Sequence, residues 1–364
     1  MNQQTIEPSL AQPTLLSSSP LFPRLEALNL ARKTRRPDQL RAFRLDGVDH
    51  LFRQPLTFTP FAAAKPCSAR CVFCSETLIP IGTRGLAAGR RPSPHYFQGL
   101  GRALKALVGL PLGLSLSGLE ATDDATWLLR LLDQLDDFAA SGGIVRERVL
   151  YSNGAGLCRE TTGALLLPRL TRFGLDRVEL SRHSFNPADN ARIMRFRPGP
   201  IADQAVFERT VVDCLKSVPV RLVCLIQRQG VDTVAKVMAY LDWAEQLGVT
   251  DVVFREYSRL GDLYEPNRTK RHIEANRVIL EDLLGTLLDE DHLFEPVSLE
   301  SGYYFWNLRM SWRGRIRVTF ETSDYRIMKA RHDSAVVHKL VYHTNGSLCG
   351  DWDPNQQVLL RTGC

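Results

Sequence analysis

What this chain lacks narrows its class before anything it contains. No stretch approaches the roughly 18 uninterrupted apolar residues of a membrane-spanning helix, so a membrane partner is not expected. The opening residues MNQQTIEPSLAQPTLLSSSP carry neither a basic n-region nor an apolar h-region, and export is not signalled. A cytoplasmic, reducing setting is therefore expected, in which the eight cysteines are free thiols or metal ligands and not a disulfide framework. The eight histidines show no metal-ligand spacing, and no second C-x-x-C occurs. Aromatic residues are sparse in the basic run 31–44, which weakens the case for a nucleic-acid groove. The net charge of +6 is mild, with its basic residues gathered in ARKTRRPDQLRAFR and between Arg309 and His343. A solvated surface or a pocket for an anionic substrate is favoured over nucleic acid, which remains the lesser alternative.

What is present is concentrated in CSARCVFC, residues 67–74. Cys67, Cys71 and Cys74 stand in a C-x3-C-x2-C spacing that composition alone would produce with a chance of about 0.004. Three thiolates on one short loop can converge on one metal centre, and their softness selects zinc or iron-sulfur over hard cations. A closed zinc site needs a fourth protein ligand. A 4Fe-4S cube held by three cysteines leaves one iron open to a non-protein ligand. Both alternatives stand at this point, although the nearest histidine, His95, lies beyond a long loop containing Gly and Arg.

Taken in order, the chain divides into three regions. Residues 1–55 form an N-terminal extension whose first 22 residues, rich in Ser, Pro, Gln and Thr, are expected to be disordered or loosely attached. Residues 23–45 are expected to form one or two short basic helices. Between 56 and 265, strands at about 56–61, 113–118, RVLYSNG, RVELS, VRLVCLI and DVVFREY alternate with amphipathic helices, the pattern of a parallel sheet. Thr122 is the expected N-cap of the helix that follows the second strand. From 266 to 364 a helix at about 270–288 precedes extended aromatic runs with turn signals at Arg-Gly and Asn-Gly. This region is expected to be a small α+β element capping the substrate side.

The cysteine spacing, with Phe73 as the aromatic residue before the last Cys, resembles the radical S-adenosylmethionine (SAM) superfamily, in the branch of the molybdenum-cofactor cyclase and viperin. The C-terminal cysteines of a second cluster are absent, since only Cys349 and Cys364 occur there. The resemblance implies an α/β fold, an open partial (β/α)6 barrel, in agreement with the six β-α units counted above. It also implies a 4Fe-4S cluster on the three cysteines, with SAM chelating the open iron and a low-potential electron donor as partner. Reductive cleavage then yields a 5′-deoxyadenosyl radical that takes hydrogen from a small metabolite or a peptide. RNA modification, or a non-catalytic metal- or partner-binding role on the same fold, are the alternatives.

The resemblance also supplies candidate SAM contacts. Ser117, Gly118 and Glu120 stand where the family has its amino-group-binding segment, with Ser, Leu and Ala121 departing from the usual Gly, Gly and Pro. Asn153, in SNG, ends the third strand. Ser181 and Arg195 match a Ser and Arg pair that contacts the SAM ribose and carboxylate, and Val253 lies on the strand used against adenine. Arg255, Glu256 and Tyr257 follow it as groups that reach substrate or pair with neighbouring helices. Cys349 is a candidate hydrogen-atom donor or, alternatively, a small buried hydrophobe. Glu321, Asp324, Tyr325, His338 and Asp351 are further candidates for substrate contact.

Overall fold

A computed structural model of the protein describes residues 15–33, 40–61, 65–78, 92–289 and 292–363. Its strands are β1 (Ala31–Lys33), β2 (Leu40–Leu45), β3 (Val48–Phe61), β4 (Leu112–Leu116), β5 (Val145–Ser152), β6 (Arg177–Ser181) and β7 (Val220–Ile226). They continue with β8 (Asp251–Glu256), β9 (Phe294–Ser301), β10 (Trp306–Trp312), β11 (Ile316–Glu321), β12 (Val336–His343), β13 (Ser347–Cys349) and β14 (Val358–Arg361). β3 to β8 pair in parallel, each with the next, and helices run between them. This is the expected open partial barrel of six units. Parallel strands need crossover connections, and the amphipathic helices supply them while covering the outer face.

Several local expectations are corrected. The basic run 31–44 falls partly outside the described residues, but Ala31–Lys33 and Leu40–Leu45 are strands, and among the described residues of this part the one helix is Phe22–Ala27. β2 folds back on β3 through Asp46–Gly47, whose positive φ values suit a tight hairpin. Residues 1–14 lie outside the described residues, whereas Leu16 and Leu25 are buried in the main core. The helix Ala125–Ala140 is capped by Asp124, which accepts from the Trp127 N–H at 3.1 Å, and not by Thr122. The segment expected as one helix over 270–288 is two, Arg268–Asn276 and Leu280–Leu287, because Arg277 is extended and bridges to Gln227.

In the C-terminal region β9, β10 and β11 form an antiparallel meander, its second turn at Arg313–Gly314, and β12 and β13 are joined through Asn345–Gly346. β11 also pairs in parallel with β8, and β12 with β3, so the C-terminal strands continue the sheet at both edges of the six-strand core. No helix among the described residues is long and apolar enough to cross a membrane.

Side-chain alternation divides the sheet into two chemically different faces. Leu112, Leu114, Leu150, Val178, Leu180, Leu222, Val252 and Phe254 join the core under the helices. Phe254 meets Tyr240 of the helix Val234–Gln246 edge-on at 5.3 Å and stacks with Phe320 at 5.4 Å. The alternate residues occupy the inner face, where the sequence is polar. Glu147, Arg177, Glu179, Arg221, Asp251 and Arg317 form a chain of ion pairs at 2.6 to 3.2 Å across β5, β6, β7, β8 and β11. An inner face bearing charge has to be matched residue by residue, because a buried ion missing its partner is strongly destabilising.

Phe254→Ala is expected to lower the unfolding free energy by about 3–5 kcal/mol, the cost of emptying a packed aromatic site. Val253→Ala, on the opposite face of the same strand, costs clearly less. Denaturant melts of the two variants check this, and equal losses would contradict the assignment of faces.

Candidate metal and cofactor site

The loop carrying Cys67, Cys71 and Cys74 follows β3 and is fixed by its neighbours' backbone. The Arg70 and Val72 N–H groups donate to the carbonyls of Met194 and Ile193 at 3.0 Å each, and the Arg197 N–H donates to the Ser68 carbonyl at 2.8 Å. Ser68 N–H in turn donates to Asp123 Oδ2 at 2.7 Å, while Arg159 pairs with the other oxygen of Asp123 at 2.9 Å. A segment without regular structure therefore has its main-chain groups satisfied by two adjoining units of the barrel.

All three thiols are half-buried and act on one another electrostatically. Burial, then the nearby Glu120 carboxylate, pushes Cys67 up to about 12. Burial followed by Cys74 and Cys67 raises Cys71 well above an ordinary thiol, and burial with Glu76 raises Cys74 to about 11. Three such groups would ionise together only with a cationic centre among them, as a bound metal centre would provide. Among the described residues no set of three or more His, Cys, Asp or Glu is gathered tightly enough to hold a single ion. The donor set is soft and threefold, the ligand chemistry that suits an iron-sulfur cluster with one iron left open. Cys67 Sγ already accepts from the Ala69 N–H at 3.4 Å and from Asn153 Nδ2 at 3.7 Å, the kind of hydrogen bonding to sulfur that tunes a cluster.

The end of β4 is shaped by glycine. Gly118 has φ +105°, and an added Cβ would stand 2.6 Å from the Phe61 ring, so only glycine fits. Ser117 is half-buried and its hydroxyl meets that of Ser115 at 3.2 Å. Glu120 has partners that its sequence position did not reveal. Oε1 accepts from Thr122 N–H (3.1 Å), Thr122 Oγ1 (2.6 Å) and Ser152 Oγ (2.7 Å), and Oε2 accepts from the Asn153 N–H (2.5 Å). At 3% exposed, this carboxylate ties the end of β4 to the end of β5, and a ligand ammonium has only Oε2 left to address. Burial raises its pKa while these donors oppose the rise. Asn153 is likewise turned toward the cysteine loop, donating to Ser68 Oγ at 3.3 Å as well as to Cys67.

The other expected residues are more dispersed. Ser181 ends β6 half-buried on the inner face, beside Val223 in register. Val253 is buried on the inner face between Val223 and Thr319. Arg195 takes a left-handed conformation at the C-cap of the helix Pro187–Met194 and is exposed, with no ion pair among the described residues. Its neighbour Arg192 is engaged with Asp189 and Gln229, which separates the two arginines by role. Arg255 pairs with Glu321 at 2.5 Å and Glu256 with Arg277. Cys349 is fully buried on β13, its thiol 3.4 Å from the Pro354 carbonyl, and is not joined to the loop cysteines.

Phe73 rests edge-on against His183 at 4.8 Å and tilts against Tyr257 at 5.6 Å. His183 and Asp123 belong to the site although the sequence did not single them out, and Tyr257, expected to reach substrate, packs here against Phe73. Burial lowers His183 to about 3, so it is neutral, and its Nδ1 accepts from the Leu225 N–H at 3.0 Å. Tyr257 donates to Gln227 at 2.7 Å.

No family model matches this sequence, and no curated protein matches it. Among solved structures, Streptococcus suis SuiB bound to the precursor peptide SuiA is similar with a TM-score of 0.50 and 12% identity, over 91% of this chain and 62% of SuiB. SuiB bound to S-adenosylmethionine is similar at 0.51 and 12% identity, over 84% and 63%. Escherichia coli HemN, a coproporphyrinogen III oxidase described as a radical SAM enzyme, follows at 0.43 and 15% identity, over 65% and 52%. The chain thus spans less than two thirds of SuiB's length, and the fold expected from the cysteine motif is the fold it shares with SuiB.

Glu120→Ala is expected to lower the unfolding free energy by about 3 kcal/mol or more, since several buried donors lose their acceptor together. Glu120→Gln, which keeps one oxygen, costs less. Denaturant melts of both variants measure this, and an unchanged midpoint for Glu120→Ala would contradict the bracing role.

Proposed function

We propose that this chain holds a 4Fe-4S cluster on Cys67, Cys71 and Cys74 and works as a radical SAM enzyme on a small metabolite or a peptide. The observation that carries the reading is the group of three coupled, half-buried thiols on one clamped loop, at the carboxyl end of an open parallel barrel. In parallel α/β folds the chemistry gathers at that end. When bound, the cluster supplies an electron to the sulfonium of SAM, releasing methionine and a 5′-deoxyadenosyl radical that removes a substrate hydrogen.

The chain's own residues have separable parts in this. Cys67, Cys71 and Cys74 supply the ligands, while Asn153 and the Ala69 N–H donate to the Cys67 sulfur. Phe73 and the neutral His183 pack an apolar wall behind the loop and limit water there. Ser117, the free lone pair of Glu120 Oε2, Ser181 and Arg195 are the polar groups offered to the aminocarboxylate and ribose of SAM, and Val253 an apolar surface for its base. An arginine fork matches a carboxylate, and Arg195, unlike Arg192, has no acidic partner among the described residues. SuiB, solved with SAM and with a peptide, supports SAM and a peptide as ligands of this fold.

Anaerobic reconstitution with iron and sulfide should give about four iron per chain and a broad visible absorption band. On reduction, SAM should be converted to 5′-deoxyadenosine, with background levels only for Cys67→Ala, Cys71→Ala or Cys74→Ala. Asn153→Ala should lose about 10–100-fold in cluster retention or rate, the usual effect of removing a partner of a metal ligand. Absence of both band and cleavage in the unmutated protein would assign it instead to a non-catalytic binding role.

A further inference from the structure

Away from the thiols, the inner face of β12 carries a charge that the cofactor chemistry does not use. Leu340 and Tyr342 of this strand enter the outer core, Tyr342 meeting the Tyr96 ring at 5.3 Å, so Lys339 faces inward. Lys339 is 6% exposed. Its Nζ lies 3.4 Å from the centre of the Trp352 ring, and among the described residues no oxygen accepts a hydrogen bond from it. An aromatic face attracts an ammonium but accepts none of its three N–H groups in the manner of an oxygen.

The nearest acid, Asp351, is committed elsewhere. Its Oδ2 faces His332 Nδ1 at 3.0 Å, its Oδ1 accepts from the Asp353 N–H at 2.8 Å, and its backbone carbonyl meets His343 Nε2 at 3.3 Å. His332 is held on its other side by the Tyr303 hydroxyl at 3.1 Å. Burial lowers Lys339 to about 7, and Asp351 opposes this only in part. Such an ammonium is short of an anionic acceptor.

The neighbouring strands present small residues on the same inner face. In register beside Lys339, β3 carries Thr57 and β4 carries Gly113, with Thr59 and Ser115 next along those strands. Phe61, His343 and Trp352 form an aromatic flank, with the Phe61 ring 5.2 Å from Trp352 and 5.9 Å from His343. Phe61, whose ring lies 5.2 Å from Trp352, is the last residue of β3, and the cysteine loop follows that strand in the chain.

We infer that Lys339, seated on Trp352, is the substrate anchor and receives a carboxylate of the molecule whose hydrogen is removed. This rests on the function proposed above. A monoanionic carboxylate fits better than a phosphate, because Lys339 is one ammonium and not an arginine fork, and the charge of Asp351 acts on it from close by. The carboxylate belongs to a small acid or to the C-terminus of a peptide.

The full-length protein is titrated with two matched pairs, phenylacetate against phenylacetamide and acetyl-Ala-Phe against its C-terminal amide, with binding followed by calorimetry. The acid is expected to bind at least about tenfold more tightly than the amide in one pair, and that pair identifies the source of the carboxylate. Lys339→Met should abolish the preference and Lys339→Arg should restore part of it, with melting curves confirming folding. If Lys339→Met melts early, protection of wild-type Lys339 from reductive methylation by the acid, but not by the amide, gives the same readout. No acid preference in either pair, a preference that survives Lys339→Met, or equal competition by inorganic phosphate overturns the inference. Binding is read without reduction or turnover. Lost acid preference with SAM cleavage intact therefore rejects the anchor alone, and acid preference without cleavage rejects the radical reading alone.

Discussion

The site depends on how a loop with no regular structure is held while three thiols stay close together. Arg70, Val72 and Arg197 spend their backbone N–H groups on this, and Asp123 reaches across from the next β-α unit to take the Ser68 N–H. Among the described residues the thiols are paired neither with one another nor with a cation, and burial and mutual repulsion oppose their ionisation. A clamp that keeps such donors together is rational only where a positively charged centre compensates. This constraint joins the fold to the proposed chemistry.

The rest of the inner face follows an orderly zoning of charge. Toward the amino ends of the strands, Glu147, Arg177, Glu179, Arg221, Asp251 and Arg317 neutralise one another. Toward the carboxyl ends, Glu120 is consumed in joining β4 to β5, leaving Ser117, Ser181 and Val253 to present hydroxyls and a methyl surface. On the β3, β4 and β12 side the residues become small, and Lys339 has no hydrogen-bond acceptor among the described residues. Two kinds of ligand, a cofactor with its own charges and a separate anion, are consistent with that division.

Much of the strand order was legible because the strands alternate regularly with amphipathic helices, and VRLVCLI and RVELS match β7 and β6 residue for residue, although β3 begins at Val48, ahead of the expected 56. The basic run was not, since those of its residues that are described belong to strands β1 and β2, where charge patterning cannot separate an edge strand from a helix. The pairing of β11 with β8 and of β12 with β3 was also hidden, because register between strands far apart in sequence leaves no local trace. Among site residues, the cysteines announced themselves by spacing. His183, Asp123 and Lys339 could not, each being ordinary in sequence and made distinctive only by burial and by what lies opposite. Glu120 was located correctly at the end of β4, yet its four hydrogen bonds arise from Ser152 and Asn153 on another strand and from Thr122 within its own turn.

Electron paramagnetic resonance of the reduced, reconstituted protein with SAM labelled isotopically in its amino and carboxylate groups addresses the central claim most directly. Hyperfine coupling from both labels to a cluster retained by three cysteines is the result predicted here. A cluster signal indifferent to SAM, or purified protein holding one zinc ion closed by a fourth side chain, would contradict it.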